Sequence, residues 1–434
     1  MPEPSRTRPH PLRSGGRRAS GLDALRSPRY RRYWFGSLAS VGATQLLVLG
    51  QGWLVFELSG SPLDLGLLGA ASSLPAILTL FFGGILADRL DKRRVLITTA
   101  AIIATLLLLL AVLDATGAVT VGQVLAIVAV IALVQGIDWP ARQAIFPSLI
   151  ERRQMMSAVA LNSILWQGTR MIMPAIGGVV IAATDTSVVF FVSAVGFLYM
   201  AIVLATLDVD RPAPVAAASM SQLAEGLRFI ATHRLFAVLI PLTWVSMLFG
   251  TSYIQLMPVF AASLGVGERG FGMLVSATGV GSVLGTVLVS TLQGAPRLGW
   301  IMLGGLLIST LGLIAFGLVI AFAASLPGAY YLALGCVFAY SAFASVFLIS
   351  SMTALQMRLP DRLRGRVMGI HGITFSLIPL GGLFGGTVAA ASRPSVAVIV
   401  GATVVALNAA WVLLTQKEVR DLDGRRHVDS GASS

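Results

Sequence analysis

Apolar runs about as long as a bilayer's hydrocarbon core is thick recur along almost the whole chain, and little but a membrane bundle can accommodate them. Twelve can be placed, at roughly 33–58, 65–87, 95–114, 121–147, 157–184, 187–207, 236–262, 270–293, 298–323, 328–358, 365–391 and 394–415. An apolar run of about twenty residues is the length of a membrane-spanning helix. The predicted fold class is therefore an all-α membrane protein of twelve transmembrane helices. With 56% hydrophobic and only 12% charged residues, the composition excludes an ordinary soluble domain.

The formal charge of +12 raises the question of nucleic acid, but that partner requires a contiguous basic face. Here Arg sits in short clusters between apolar runs, so no nucleic-acid partner is expected and the clusters read as topology signals. Nine Arg precede the first run. Alternate loops then carry Arg89 to Arg94, Arg152-Arg153, Arg211 to Arg234, Arg297, and Arg358 to Arg366, with Lys417, Arg420, Arg425 and Arg426 after the last run. The opposite loops hold Arg269 and Arg393 beside Glu57, Asp64, Asp114, Asp185 and Glu268. Both termini are thus expected in the cytosol. Tyr33 to Phe56 is too long for a signal-peptide core, which makes it the first span after a basic tail.

The longest connection, 208–235, falls mid-chain and contains Asp208, Asp210 and an amphipathic stretch with Leu223, Leu227 and Ile230 at helical spacing. Around it the halves look like copies. Gln51, Val55 and Phe56 recur as Gln255, Val259 and Phe260, and Gly66, Leu68 and Ala71 as Gly272, Leu274 and Ala277. The expected division is a basic tail and pre-helix at 1–32, six-helix bundles at 33–207 and 236–415, a cytosolic linker at 208–235 and a tail at 416–434. Six is even, so the two pseudo-symmetric bundles share one orientation, with the substrate site between them near the midplane.

The loop after the second run reads Gly84-Ile-Leu-Ala-Asp88-Arg89-Leu-Asp91-Lys92-Arg93-Arg94. It resembles the signature loop of the major facilitator superfamily, with Asp91 where that family often has Gly. Gly84 would allow close helix approach. Asp88 would act as a latch on a helix end or an Arg, so Gly84, Asp88, Arg89, Lys92 and Arg93 form a candidate conformational switch. Further stretches resemble the third drug:proton antiporter branch, which includes enterobactin-type siderophore exporters and macrolide efflux proteins. They are Gln51-Gly-Trp-Leu-Val-Phe-Glu-Leu-Ser-Gly-Ser61, Asp138-Trp-Pro-Ala-Arg-Gln-Ala-Ile-Phe-Pro147, Pro258-Val-Phe-Ala261 and Gly365-Arg-Val-Met-Gly369. In the fifth run, Arg170-Met-Ile-Met-Pro174-Ala-Ile-Gly177-Gly178 is similar to the antiporter motif, with Met173 in the place of its usual Gly. The resemblance implies proton-coupled export of small amphipathic molecules from a bacterial plasma (inner) membrane by a monomer, with membrane lipid as its surroundings.

Polar residues inside apolar runs are costly unless they face a cavity or a partner. Asp138, Arg142 and Arg170 are the candidate coupling and central-cavity groups, with an Asp138–Arg170 pair expected and Arg142 as the rival partner. Gln45, Gln51, Asn162, Gln167, Tyr253 and Gln255 are candidate substrate-cavity residues. His371 could titrate near neutral pH. No Gly-Lys-Ser/Thr phosphate loop occurs, and Lys92 and Lys417 are the only lysines, so direct ATP coupling is not expected. Four scattered His and one Cys, Cys336, offer neither metal-ligand spacing nor a disulfide. No metal, cofactor or catalytic cluster is predicted, and the chain is not expected to be an enzyme. The alternative reading is a lysophospholipid transporter or lipid flippase without proton antiport.

Overall fold

The computed structural model describes residues 23–89, 91–207, 220–292 and 296–423. Leu90, Asp208, Asp210 and the remainder of both basic tails lie outside the described residues, as do the side chains of Gly84, Asp88, Arg89 and Leu223. Twelve helical segments among them are long and apolar enough to cross a bilayer. In chain order the helices are α1 (Pro28–Ser59), α2 (Pro62–Arg89), α3 (Lys92–Ala115), α4 (Val121–Ile145), α5 (Met155–Ala183) and α6 (Thr186–Thr206). The short α7 (Met220–Thr232) follows, then α8 (Arg234–Gly250), α9 (Met257–Ser263), α10 (Gly267–Leu292), α11 (Leu298–Ala321) and α12 (Ala329–Arg358). The last are α13 (Asp361–His371), α14 (Ile373–Ala391), α15 (Pro394–Thr415) and α16 (Lys417–Arg420). Each span falls within a few residues of its apolar run.

Short polar residues start several of these helices by accepting hydrogen bonds from otherwise unpaired N–H groups. Ser27 caps α1 and is followed by Pro28, Thr120 and Gln123 form a reciprocal capping box on α4, and Asp185 caps α6. Asp91 caps α3, its Oδ1 accepting from the Arg93 backbone N–H at 3.0 Å. Its φ of −63° is open to any residue, so Asp replaces Gly here without a left-handed turn.

The seventh span is interrupted, which the apolar run at 236–262 does not reveal. Its ladder stops at Gly250, passes through a single tight turn at Ser252–Ile254 and resumes at Met257. Ser252 turns its hydroxyl back to the Phe249 carbonyl at 2.8 Å, Thr251 does the same to Met247, and Pro258 brings no N–H of its own. The eleventh span is divided more gently, between α13 and α14 at Gly372.

Helices α1–α6 pack on one another, as do α8–α15, and the two bundles meet along two seams, α2 with α14 and α5 with α10. Glycine brings the backbones together there. A methyl placed on Gly66 would sit 2.9 Å from the Gly382 carbonyl oxygen and 3.2 Å from the Gly386 Cα. One on Gly178 would sit 2.6 Å from the Glu268 carbonyl oxygen and 3.0 Å from the Gly272 Cα. Gly66 and Gly272, matched by the internal repeat, therefore occupy equivalent places in the two seams. Met173 faces away from its seam, toward Gly42 of α1, so the missing Gly of the motif does not loosen the α5–α10 approach.

Both seams lie in the half of the bundle that holds the Ser59–Pro62 and Ala183–Thr186 connections. At that end one apolar core runs through both bundles, uniting Trp53, Leu65, Leu68 and Ile181 with Met257, Phe271 and Leu274. Trp53 and Phe271 stack across the divide at 5.5 Å. At the opposite end the core separates in two. Tyr30, Leu96, Ile145, Leu161 and Leu204 form one cluster, while Phe236, Leu303, Phe347, Leu355 and Val367 form another. Among the described residues the bundles are thus joined through one core at one end and have parted cores at the other. At the closed rim, carboxylates from both bundles are near enough to repel: Glu57, Asp114 and Asp185 on one side and Glu268 on the other.

Candidate functional site

Between the parted ends, the first bundle carries a buried ion pair. Asp138 and Arg142 are one turn apart on α4, which puts them on the same helix face. Arg142 Nε donates to Asp138 Oδ2, Thr99 Oγ1 of α3 donates to Asp138 Oδ1 at 2.6 Å, and Arg142 Nη1 donates to Ser40 Oγ of α1 at 3.2 Å. The side chains of Asp138 and Arg142 are only 9% and 13% exposed. Their charges cancel, and three helices are joined through the pair. This corrects the expected Asp138–Arg170 pair: the shorter reach along α4 satisfies Asp138 without crossing to α5. Ser40 and Thr99 were not evident from sequence, since hydroxyl residues in apolar helices usually bond their own backbone.

Arg170 lies at the middle of α5 and is exposed, and among the described residues no carboxylate pairs with it. It is within electrostatic reach of Tyr253 and Tyr340 in the second bundle. Those rings meet edge to face at 5.2 Å, with Phe316 packed on Tyr253 at 6.1 Å. Tyr253 is only 1% exposed, so its ring belongs to the core of the second bundle. Gln255 lies in the break of the seventh span, its Cγ 3.5 Å from where a Gly69 methyl would be, between α2 and α14. Gln45, Asn162 and Gln167 are half-buried. Gln51 is buried and its Oε1 has no hydrogen-bond partner among the described residues.

The corresponding region of the second bundle is polar but neutral. Thr243 and Ser351 face each other with their hydroxyl oxygens 3.4 Å apart. His371 is buried, and its Nε2 and the hydroxyls of Ser350 and Thr374 have no hydrogen-bond partner among the described residues. Charge is therefore concentrated on the α4–α5 side of the space between the bundles.

The loop motif divides. Arg93 donates from Nε to the Leu204 carbonyl at 2.9 Å and from Nη2 to the Ala205 carbonyl at 2.6 Å, closing the end of α6. A cation there meets both the unpaired carbonyls and the negative end of the helix dipole. Lys92 is buried beside it. Arg93→Ala should lower the melting temperature of the purified protein, by about 1 kcal/mol of stability. Unchanged melting would show that the two carbonyl bonds contribute nothing net. Across the parted end, Glu225 of α7 pairs with Arg366 and, at 3.6 Å, with Arg362 of α13.

A family profile described as "Transmembrane secretion effector" matches residues 19–431. The chain belongs to this family, within the major facilitator superfamily. Members of that superfamily with established names align over most of the chain. The staphyloferrin A transporter of Staphylococcus aureus is 23% identical over 341 residues, 77% of this chain and 83% of that one. The multidrug efflux pump Tap of Mycolicibacterium fortuitum is 24% identical over 370 residues, 82% and 88% of the two chains. The major facilitator fold is confirmed by solved structures. The nucleoside transporter NupG superposes with a TM-score of 0.70 at 15% identity, over 89% of this chain and 98% of that one. A bacterial homolog of the human lysosomal transporter Spinster gives 0.67 at 15% identity, over 94% and 98%. The protein is a multi-pass membrane transporter of this superfamily and not an enzyme.

Proposed function

We propose that this transporter exports small amphipathic molecules by alternating access, driven by the proton gradient, as a monomer in a bacterial inner membrane with both termini in the cytosol. The observation that carries the reading is the core that is single at one end and double at the other. With the Arg-rich loops placed inside, the joined end faces outward and the structure is open to the cytosol, where an exporter takes up its cargo. The efflux-pump name of one relative supports the direction. Asp138 is the proton carrier in this reading. Protonating it would leave Arg142 without its counter-charge and loosen the link from α4 to α1 and α3, whereas losing the proton restores that link.

Two measurements test this. In proteoliposomes with an acid lumen, a panel of amphipathic drugs and siderophores should include compounds that accumulate against their gradient. Accumulation should collapse with a protonophore and be absent in Asp138→Asn. Mere equilibration of label, insensitive to pH, would instead support a lipid flippase. For orientation, an external thiol reagent on intact cells should reach a Cys at position 268 but not one at 92, on a Cys336→Ser background; the reverse pattern would overturn it.

A further inference from the structure

Arg170, at the middle of α5, is paired with no carboxylate among the described residues. A guanidinium keeps its proton at any physiological pH, and near the middle of a bilayer it needs either an acid or a watery cavity. Asp138 is taken by Arg142 and Thr99, so the acid is absent. Arg170 is exposed, and its backbone lies on the α5 face that closes on Gly279 of the opposite bundle, so it stands at the divide between the bundles.

Its backbone is also pinned. Pro174, one turn further on, has no N–H to give the Arg170 carbonyl, and Gly279 of α10 closes on that oxygen instead, at 2.8 Å from where a methyl on Gly279 would be. Gly279 is the innermost of the α10 glycines that meet α5, which sets Arg170 where the joined end gives way to the parted one. In the first bundle Asp138 and Arg142 cancel, and the second bundle contributes hydroxyls and a buried His rather than acids.

We propose that Arg170 is the anchoring residue for the cargo and that the cargo is an amphipathic organic carboxylate, its carboxylate held by the guanidinium fork. A planar fork matches a carboxylate bidentately, a geometry an amide or ester does not reproduce with comparable strength. A permanent cation would be repelled. This assignment of cargo class rests on the export reading above.

The test uses the full-length protein in nanodiscs and matched ligand pairs, aromatic and fatty carboxylates against their primary amides, with ethidium as a cationic probe. Calorimetric titration should show the carboxylate of each pair binding about tenfold more tightly, as expected for a charge-assisted pair. Arg170→Gln should erase the difference within each pair, and Arg170→Lys, which keeps the charge, should retain part of it. Equal binding within pairs, no carboxylate binding at all, a preference for ethidium, or a preference surviving in Arg170→Gln would each overturn the assignment. Gradient-driven uptake in proteoliposomes is scored separately. Charge-selective binding without uptake would keep the site and remove the export reading, whereas proton-driven uptake of neutral or cationic compounds alone would do the opposite.

Discussion

Arg142→Leu should be among the most damaging single changes in the chain, costing about 3–5 kcal/mol of stability and abolishing transport. The substitution leaves the Asp138 carboxylate 9% exposed, with only the Thr99 hydroxyl for a partner. Removing one member of a buried pair strands the other charge, a penalty far larger than the net worth of the intact pair. The double change Asp138→Leu with Arg142→Leu should therefore melt nearer the parent than either single variant. If the pair carries the proton-linked step, the double variant will fold yet fail to transport. Thermal melting in detergent and uptake in proteoliposomes separate the two effects. A single variant as stable as the parent would show that the pair is not sequestered as the structure has it.

Substituting the seam glycines should act on conformation instead. In Gly178→Val the first added carbon already lies 2.6 Å from the Glu268 carbonyl oxygen, and the obstructing atoms are backbone, which cannot rotate aside. Gly386→Val repeats the situation in the other seam, where a methyl would sit 2.9 Å from the Gly66 Cα. Each bundle keeps its own packing, so both variants should express and fold. The joined end should no longer close, shifting the population about 5- to 150-fold toward conformers open there, with about 1–3 kcal/mol of overpacking as the driving term. Spin-label distances across that end would report it. Parent-like distances together with parent-like transport would mean that the seams are not the gate.

Most of the fold was legible because its determinants are local. A bilayer sets helix length, so apolar runs located all twelve spans within a few residues, and the recurrence of Gly66 as Gly272 marked the repeat whose two copies the structure places in equivalent seams. The site was less so, because it depends on helix rotation. Asp138 had two cationic neighbours at compatible depth, Arg142 and Arg170, and only the facing of α4 against α1 and α3 decides between them. Tyr253 looked like a lining residue from its place in the seventh span, yet the break after Gly250 turns its ring into the second bundle. Nothing in an apolar run from 236 to 262 announces that break, since the responsible residues, Thr251, Ser252 and Pro258, are common within spans.

The crowding of Glu57, Asp114 and Asp185 against Glu268 at the joined rim should make closure of that rim sensitive to ionic strength. Bringing the bundles together there moves like charges toward one another at a water-exposed edge, where counterions screen over a Debye length of about 8 Å in physiological salt. Dilute medium strengthens that repulsion and favours parting of the rim, while added salt favours the arrangement seen here. The medium bathing that rim would thus bias which face the transporter presents without binding in its cavity.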